Sequence, residues 1–158
     1  MEERILVPLD GSKVGEAALP YVEELISKLS PEVKIEITLL QVVSSLPHFV
    51  VAGEAGFQIP YTEQELEQNK RKALDYLEQA GRGLESKGAT VKIRVGSGIP
   101  ADEIIRVADE MDVDLVAMST HGRHGISRWA FGSVTDKVLQ AGHKPVLVVR
   151  PSKETAKK

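Results

Sequence analysis

The feature that most constrains the fold is an alternation of five apolar, β-branched runs with stretches of helical spacing. The runs are "RILVPL" (residues 4–9), "VKIEITLLQVV" (33–43), "ATVKIRV" (89–95), "VDLVAMS" (113–119) and "PVLVVR" (145–150). The first, fourth and fifth are almost uninterrupted by polar residues, as strands covered on both faces are. Strands separated by helices form right-handed βαβ units. The expected architecture is therefore α/β: a doubly wound five-stranded parallel sheet, order 3-2-1-4-5, with helices on both faces.

Four helices are expected between the strands. In the first, Val14, Ala17, Ala18, Tyr21, Val22, Leu25, Ile26 and Leu29 recur at three and four residues, behind Ser12 as a cap. Pro20 lacks an amide and crowds the preceding turn, which predicts a bend near residues 16–20. "TEQE" has the capping-box pattern and opens the longest helix, over 62–87. A third follows Pro100 over 101–111. The fourth covers 133–141, with Ser133 and Asp136 as a second capping box and Gly142 at its end.

Residues 44–61, "SSLPHFVVAGEAGFQIPY", fit none of these elements. A connection this long is usually a lid or an unstructured segment. Its Leu46, Phe49, Val50, Val51, Phe57 and Ile59 nevertheless call for cover from the body or a partner.

A chain of 158 residues is the size of one domain, placed at 1–151, and the basic tail 152–158 is expected to be disordered. No apolar run approaches the roughly 20 residues needed to cross a bilayer. The start, "MEERILVPLDGS", has neither the charge nor the length of a secretory signal, so a cytoplasmic protein is expected. The absence of cysteine removes disulfides, thiolate nucleophiles and cysteine-based metal centres. With 20 basic and 23 acidic side chains interspersed, the net charge of −3 gives no field that would gather nucleic acid.

Doubly wound sheets bind ligands at the carboxyl ends of their strands, where the strand order reverses. Those ends carry "PLDGS", "VVSS" and "STHGRHGISRWAFGS". Neither the G-x-G-x-x-G fingerprint nor a lysine-bearing phosphate loop is present. What remains is Gly122, nine residues, then Gly132 and Ser133 at a helix start. Glycines admit an anion to the main chain, and a helix N-terminus supplies unpaired amides and partial positive charge. Arg123 and Arg128 can offset phosphate charge, and Asp10 can accept hydrogen bonds from ribose hydroxyls. This is a mononucleotide site in outline.

Plainer roles exist for the same residues. Asp10 is also an ordinary turn former before glycine. His121 and His124 have no third ligand nearby in sequence, so no metal site is expected. Ser127, in "GISRW", lacks the nucleophile-elbow pattern of a serine hydrolase, while Trp129 and Phe131 suit packing of the loop.

"VPLDGS", "VDLVAMSTHGRHGISRWAFGSVTDKVL" and "KPVLVVR" resemble the universal stress protein family, over essentially the whole chain. The resemblance implies a fold like that of the adenine nucleotide alpha hydrolases. The nucleotide-binding branch has the pattern G-x2-G-x9-G-[ST], matched by Gly122, Gly132 and Ser133, with Ser119 in place of the first glycine. The resemblance further implies Asp10 on the ribose and Pro8, Leu9, Val42 and Met118 around adenine. Gly122, Gly132, Ser133 and Val134 would give main-chain contacts to ribose and phosphates. It implies ATP, or AMP or ADP, as ligand, with Mg2+ held only through the phosphates, and a homodimer through Val146, Leu147, Val148 and Val149. A serine at 119 would be strained by roughly 1 kcal/mol if its backbone were left-handed; otherwise its hydroxyl can add a contact.

The expected function is that of an ATP-binding dimeric regulatory or sensor protein of the stress response, acting on an unidentified protein partner. Two alternatives stand beside it. One is a nucleotide-free dimeric scaffold that uses residues 44–61 as its partner surface. The other is a slow ATPase, although no nucleophile, base and charge-stabiliser set is recognisable.

Overall fold

The computed structural model describes residues 1–43, 48–52, 55–121 and 132–152. Strand β1 (Glu2–Leu9) leads through a 3-10 turn (Val14–Ala18) into α1 (Leu19–Lys28) and β2 (Lys34–Val43). After two short strands, β3 (His48–Ala52) and β4 (Ala55–Ile59), come α2 (Glu63–Ser86), β5 (Thr90–Ser97) and α3 (Pro100–Glu110). Strand β6 (Leu115–Ser119), α4 (Ser133–Ala141) and β7 (Val146–Val149) complete the order. The main sheet is parallel and five-stranded, in the order β5-β2-β1-β6-β7. With β3 and β4 set aside, this is the 3-2-1-4-5 order expected of the five apolar runs.

Strand alternation divides the core into two layers. Ile5, Val7 and Leu9 of β1 join Ile35, Ile37 and Leu39 of β2 under α1 and α2, where Val22, Leu77 and Leu84 are fully buried. Leu6, Leu40, Val116 and Met118 face the other way and pack with Ile104, Val107 and Val138 of α3 and α4. Residues 5–9 of β1 and Leu115–Met118 of β6 supply side chains to both layers, which is why these stretches read as continuous apolar runs.

Three local expectations are corrected. The stretch 44–61 contains an antiparallel hairpin, β3 on β4, in the register His48↔Ile59 to Ala52↔Ala55. Pro60 follows β4, where it does not interrupt the ladder. The first helix is not a single bent one: the 3-10 turn hands over to α1 at Leu19, which puts Pro20 in the first turn of α1, where its missing amide costs nothing. Ser133 is not a cap, because Gly132 holds the N-cap position of α4 and no side chain caps it.

Elsewhere the local chemistry follows the sequence. Thr62 caps α2, its Oγ1 accepting the Glu65 amide at 3.1 Å. Ser12 Oγ accepts the Gly15 amide at 3.0 Å at the entry to the 3-10 turn. Gly142 ends α4, donating its amide to Val138. Among the described residues no helix is long and apolar enough to cross a membrane. Residues 153–158, which hold most of the tail expected to be disordered, lie outside the described residues.

Candidate functional site

The carboxyl ends of β1, β2 and β6 meet at the reversal of strand order, with the start of α4 beside them. At β1 the chain leaves the sheet in a turn that needs glycine: Gly11 has φ of 85°, in the left-handed region. Asp10 closes this turn, its Oδ1 accepting the Ser12 amide at 2.9 Å and the Ser12 hydroxyl at 2.5 Å. A Cβ on Gly15 would come within 2.4 Å of Asp10 Oδ1, so the carboxylate rests directly on the glycine backbone.

Alternation decides which neighbours line the same surface. Met118 belongs to the α3/α4 layer and Val42 packs against it. Pro8 lies two residues beyond Leu6 of that layer and shares its face. Pro8, Val42 and Met118 thus form one apolar patch at the edge of the sheet. Leu9, expected with them, points its side chain into the opposite layer, where it is 5% exposed. Only its main chain can serve the patch.

Ser119 ends β6 in extended backbone. Among the described residues Asp112 is the only non-glycine with positive φ, so the serine carries no left-handed strain. Its hydroxyl donates to the His121 carbonyl at 2.8 Å, and its carbonyl accepts the Thr135 hydroxyl at 2.8 Å. Thr120 follows, with its hydroxyl 2.8 Å from His121 Nδ1.

At α4, Gly132 donates its amide to the Thr120 carbonyl at 2.7 Å, while its own carbonyl accepts the Asp136 amide. The Gly132 amide is therefore committed within the protein. Ser133, Val134 and Thr135 are the first residues of the helix, whose amides have no acceptor within the helix and no side-chain cap among the described residues. Ser133 is exposed and Val134 half-buried against the α3/α4 layer. Gly122, Arg123 and Arg128 lie outside the described residues, as do His124, Ser127, Trp129 and Phe131.

Thr120, Thr135 and Gly15, which the sequence did not single out, hold this arrangement together with Ser12, which was expected as a helix cap. Thr135 and Thr120 tie α4 to the end of β6, and Ser12 and Gly15 fix Asp10. Their signal is a small polar residue, or a glycine, one turn away from a motif position. Tyr76 of α2 approaches the same turn from behind. Burial and the nearby Glu16 carboxylate hold its hydroxyl well above the usual phenol range, with Asp10 adding to the effect.

The strand order, the parallel pairing and a core layer on each face of the sheet define a doubly wound α/β protein. The chain belongs to the universal stress protein family: the family model of that description matches residues 1–150. The universal stress protein MJ0577 of Methanocaldococcus jannaschii is 33% identical over 95% of this chain and 96% of its own. The solved MJ0577 structure superposes with a TM-score of 0.73, at 28% identity, over 96% of this chain and 97% of that one. The same fold recurs in an Arabidopsis thaliana family member with AMP bound, with a TM-score of 0.64 at 16% identity over 96% and 94% of the chains. It recurs again in the Archaeoglobus fulgidus universal stress protein in complex with dAMP, with a TM-score of 0.58 at 21% identity over 93% and 97%.

Proposed function

We propose that this protein binds an adenine nucleotide at the carboxyl ends of β1, β2 and β6 and acts as a dimeric cytoplasmic sensor or regulator in a stress response. The observation that carries the reading is that Val42 and Met118 share one core layer, and Pro8 the same face by alternation, at strand ends that also carry the Asp10 turn after β1 and the bond of α4 to the end of β6. A purine has two apolar faces and a polar edge, which an apolar patch beside main-chain groups suits. Asp10 accepts from the ribose hydroxyls. The phosphates lie against the amides of Ser133 and Val134, where the helix dipole favours negative charge. Gly122, Arg123 and Arg128 complete the phosphate side. ATP brings any Mg2+ on its own phosphates.

The solved family members that carry AMP and dAMP support an adenine nucleotide. Ser119 is compatible with it, because its extended backbone asks nothing of glycine and its hydroxyl turns to His121.

Dimerisation through β7 is favoured by the contrast between the two sheet edges. On β5, Lys92 pairs with Glu36 and Arg94 with Glu110, and charged side chains discourage pairing with another chain. On β7, Val146 to Val149 carry no charge.

The test is to denature the purified protein and identify any released nucleotide, then to follow melting with and without AMP and Mg-ATP. A ligand specific for the native state stabilises by about 2.7 kcal/mol at a hundredfold excess over Kd. No released nucleotide and no melting shift at millimolar concentrations would refute nucleotide binding and leave the scaffold reading.

A further inference from the structure

Thr120, 4% exposed, spends both of its main-chain groups on the two regions that matter most. Its carbonyl accepts the Gly132 amide at 2.7 Å, and its amide donates to the Val149 carbonyl at 2.9 Å. Gly132 is the cap of α4, whose first amides face the proposed phosphates. Val149 ends β7, the proposed dimer edge. One residue thus joins the helix start to the edge strand through main chain alone.

The ladder shows what β7 offers outward. Val116 donates to the Pro145 carbonyl at 2.9 Å, and Thr120 to that of Val149. In a parallel pair, alternate residues bond the same neighbour. Pro145, Leu147 and Val149 therefore spend their groups on β6, and the amides and carbonyls of Val146 and Val148 point to the open edge. A strand from a second copy that bonds Val148 also fixes the adjoining peptide, whose Val149 carbonyl receives Thr120. A second path runs beside this one: the 3-10 turn that follows the Asp10 loop contacts both β6 and β7.

We infer that Thr120 is a positioning residue that couples adenine-nucleotide binding at α4 to pairing of β7 with a second copy, each favouring the other. This rests on the nucleotide and edge-dimer reading above. Aligning the α4 amides on a phosphate requires Gly132 to be held against Thr120, and Thr120 is held by Val149. Pairing that immobilises β7 meets part of the ordering cost of binding, and a bound phosphate returns the same advantage to the dimer.

The experiment is sedimentation velocity across a range of protein concentrations, with and without saturating AMP, on the wild type and on Val148→Pro. Proline at 148 removes an outward amide and no ladder bond to β6, a substitution edge strands tolerate. AMP should tighten wild-type dimerisation by about fivefold or more. Val148→Pro should be a folded monomer whose AMP affinity is lower by the same factor. Should that variant not fold, AMP titrations of the wild type well below and well above its dimer constant make the same comparison. AMP binding with an unchanged dimer constant overturns the coupling and leaves the nucleotide reading standing. A protein that binds AMP but never dimerises also overturns it, and one that does not bind AMP overturns the nucleotide reading as well.

Discussion

The Thr135 hydroxyl donates to the Ser119 carbonyl at 2.8 Å, joining two buried residues sixteen positions apart. This bond anchors the first turn of α4 to the end of β6. Replacing Thr135 with valine keeps the shape, removes the donor and leaves a buried carbonyl without it. The cost of an unsatisfied buried acceptor is about 1–3 kcal/mol. Thr135→Val should therefore lower the melting temperature measurably in calorimetry. It should also weaken AMP binding in isothermal titration, because the helix amides lose their fixed distance from the strand ends.

A second prediction concerns acid and salt. Arg106 bonds both Glu103 and Glu110, and Arg94 bonds Glu110 as well. The hydrogen bond from Arg106 holds the Glu103 carboxyl below its ordinary 4.5, and Arg94 does the same for Glu110. A carboxylate whose pKa is depressed by folding adds stability that is fully present above its unfolded value and is lost as pH falls through its folded one. Denaturation midpoints should therefore drop below about pH 4.5. Arg106→Ala should flatten that drop while leaving stability at pH 7 nearly unchanged, since the network is exposed and screened by salt.

The sheet order was legible because both faces of β1 and β6 are covered and their runs admit no polar break. The hairpin β3–β4 was not legible. Its strands are five residues each, and the prolines and glycines around them read as a loop. Asp10 was legible as a turn residue at the end of β1, and the geometry adds its fixation by Ser12 and Gly15. Leu9 came to the adenine surface only through the family resemblance, which does not separate main chain from side chain, whereas alternation sends its side chain to the opposite layer. The committed amide of Gly132 could not be read from a motif, since a glycine's spacing does not say which acceptor its main chain has found.

Gly132 has φ of −56° and ψ of 155°, a conformation open to any residue. Gly132→Val therefore introduces no left-handed strain, and its stability cost should stay near the roughly 1 kcal/mol of a poor N-cap. The branched side chain would stand beside the amides of Ser133 and Val134. Differential scanning fluorimetry should show a folded protein whose melting no longer responds to AMP or Mg-ATP. An unchanged response would move the phosphates away from the start of α4.

Gly15 offers the sharpest test of Asp10, because the carboxylate is what an added side chain there would crowd most. A methyl group there would stand 2.4 Å from Asp10 Oδ1 and 3.1 Å from Ser12 Oγ. Both are side-chain atoms at the surface of a turn, so the clash is relieved by rotating the Asp10 carboxylate away from Ser12 rather than by moving the sheet. Gly15 does not have the positive φ that Gly11 has, so alanine meets no backbone strain there. Gly15→Ala should keep its melting temperature within a few degrees of wild type, in line with a ΔΔG of about 1 kcal/mol or less. Its AMP affinity should fall about tenfold, the loss of one well-placed hydrogen bond to a charged group at about 1.4 kcal/mol. Asp10→Asn in the same titration should give a loss of similar size, and adding Gly15→Ala to Asp10→Asn should cost little more, since both act on one carboxylate. Additive losses in the double variant would show that Gly15 acts on the ligand by another route.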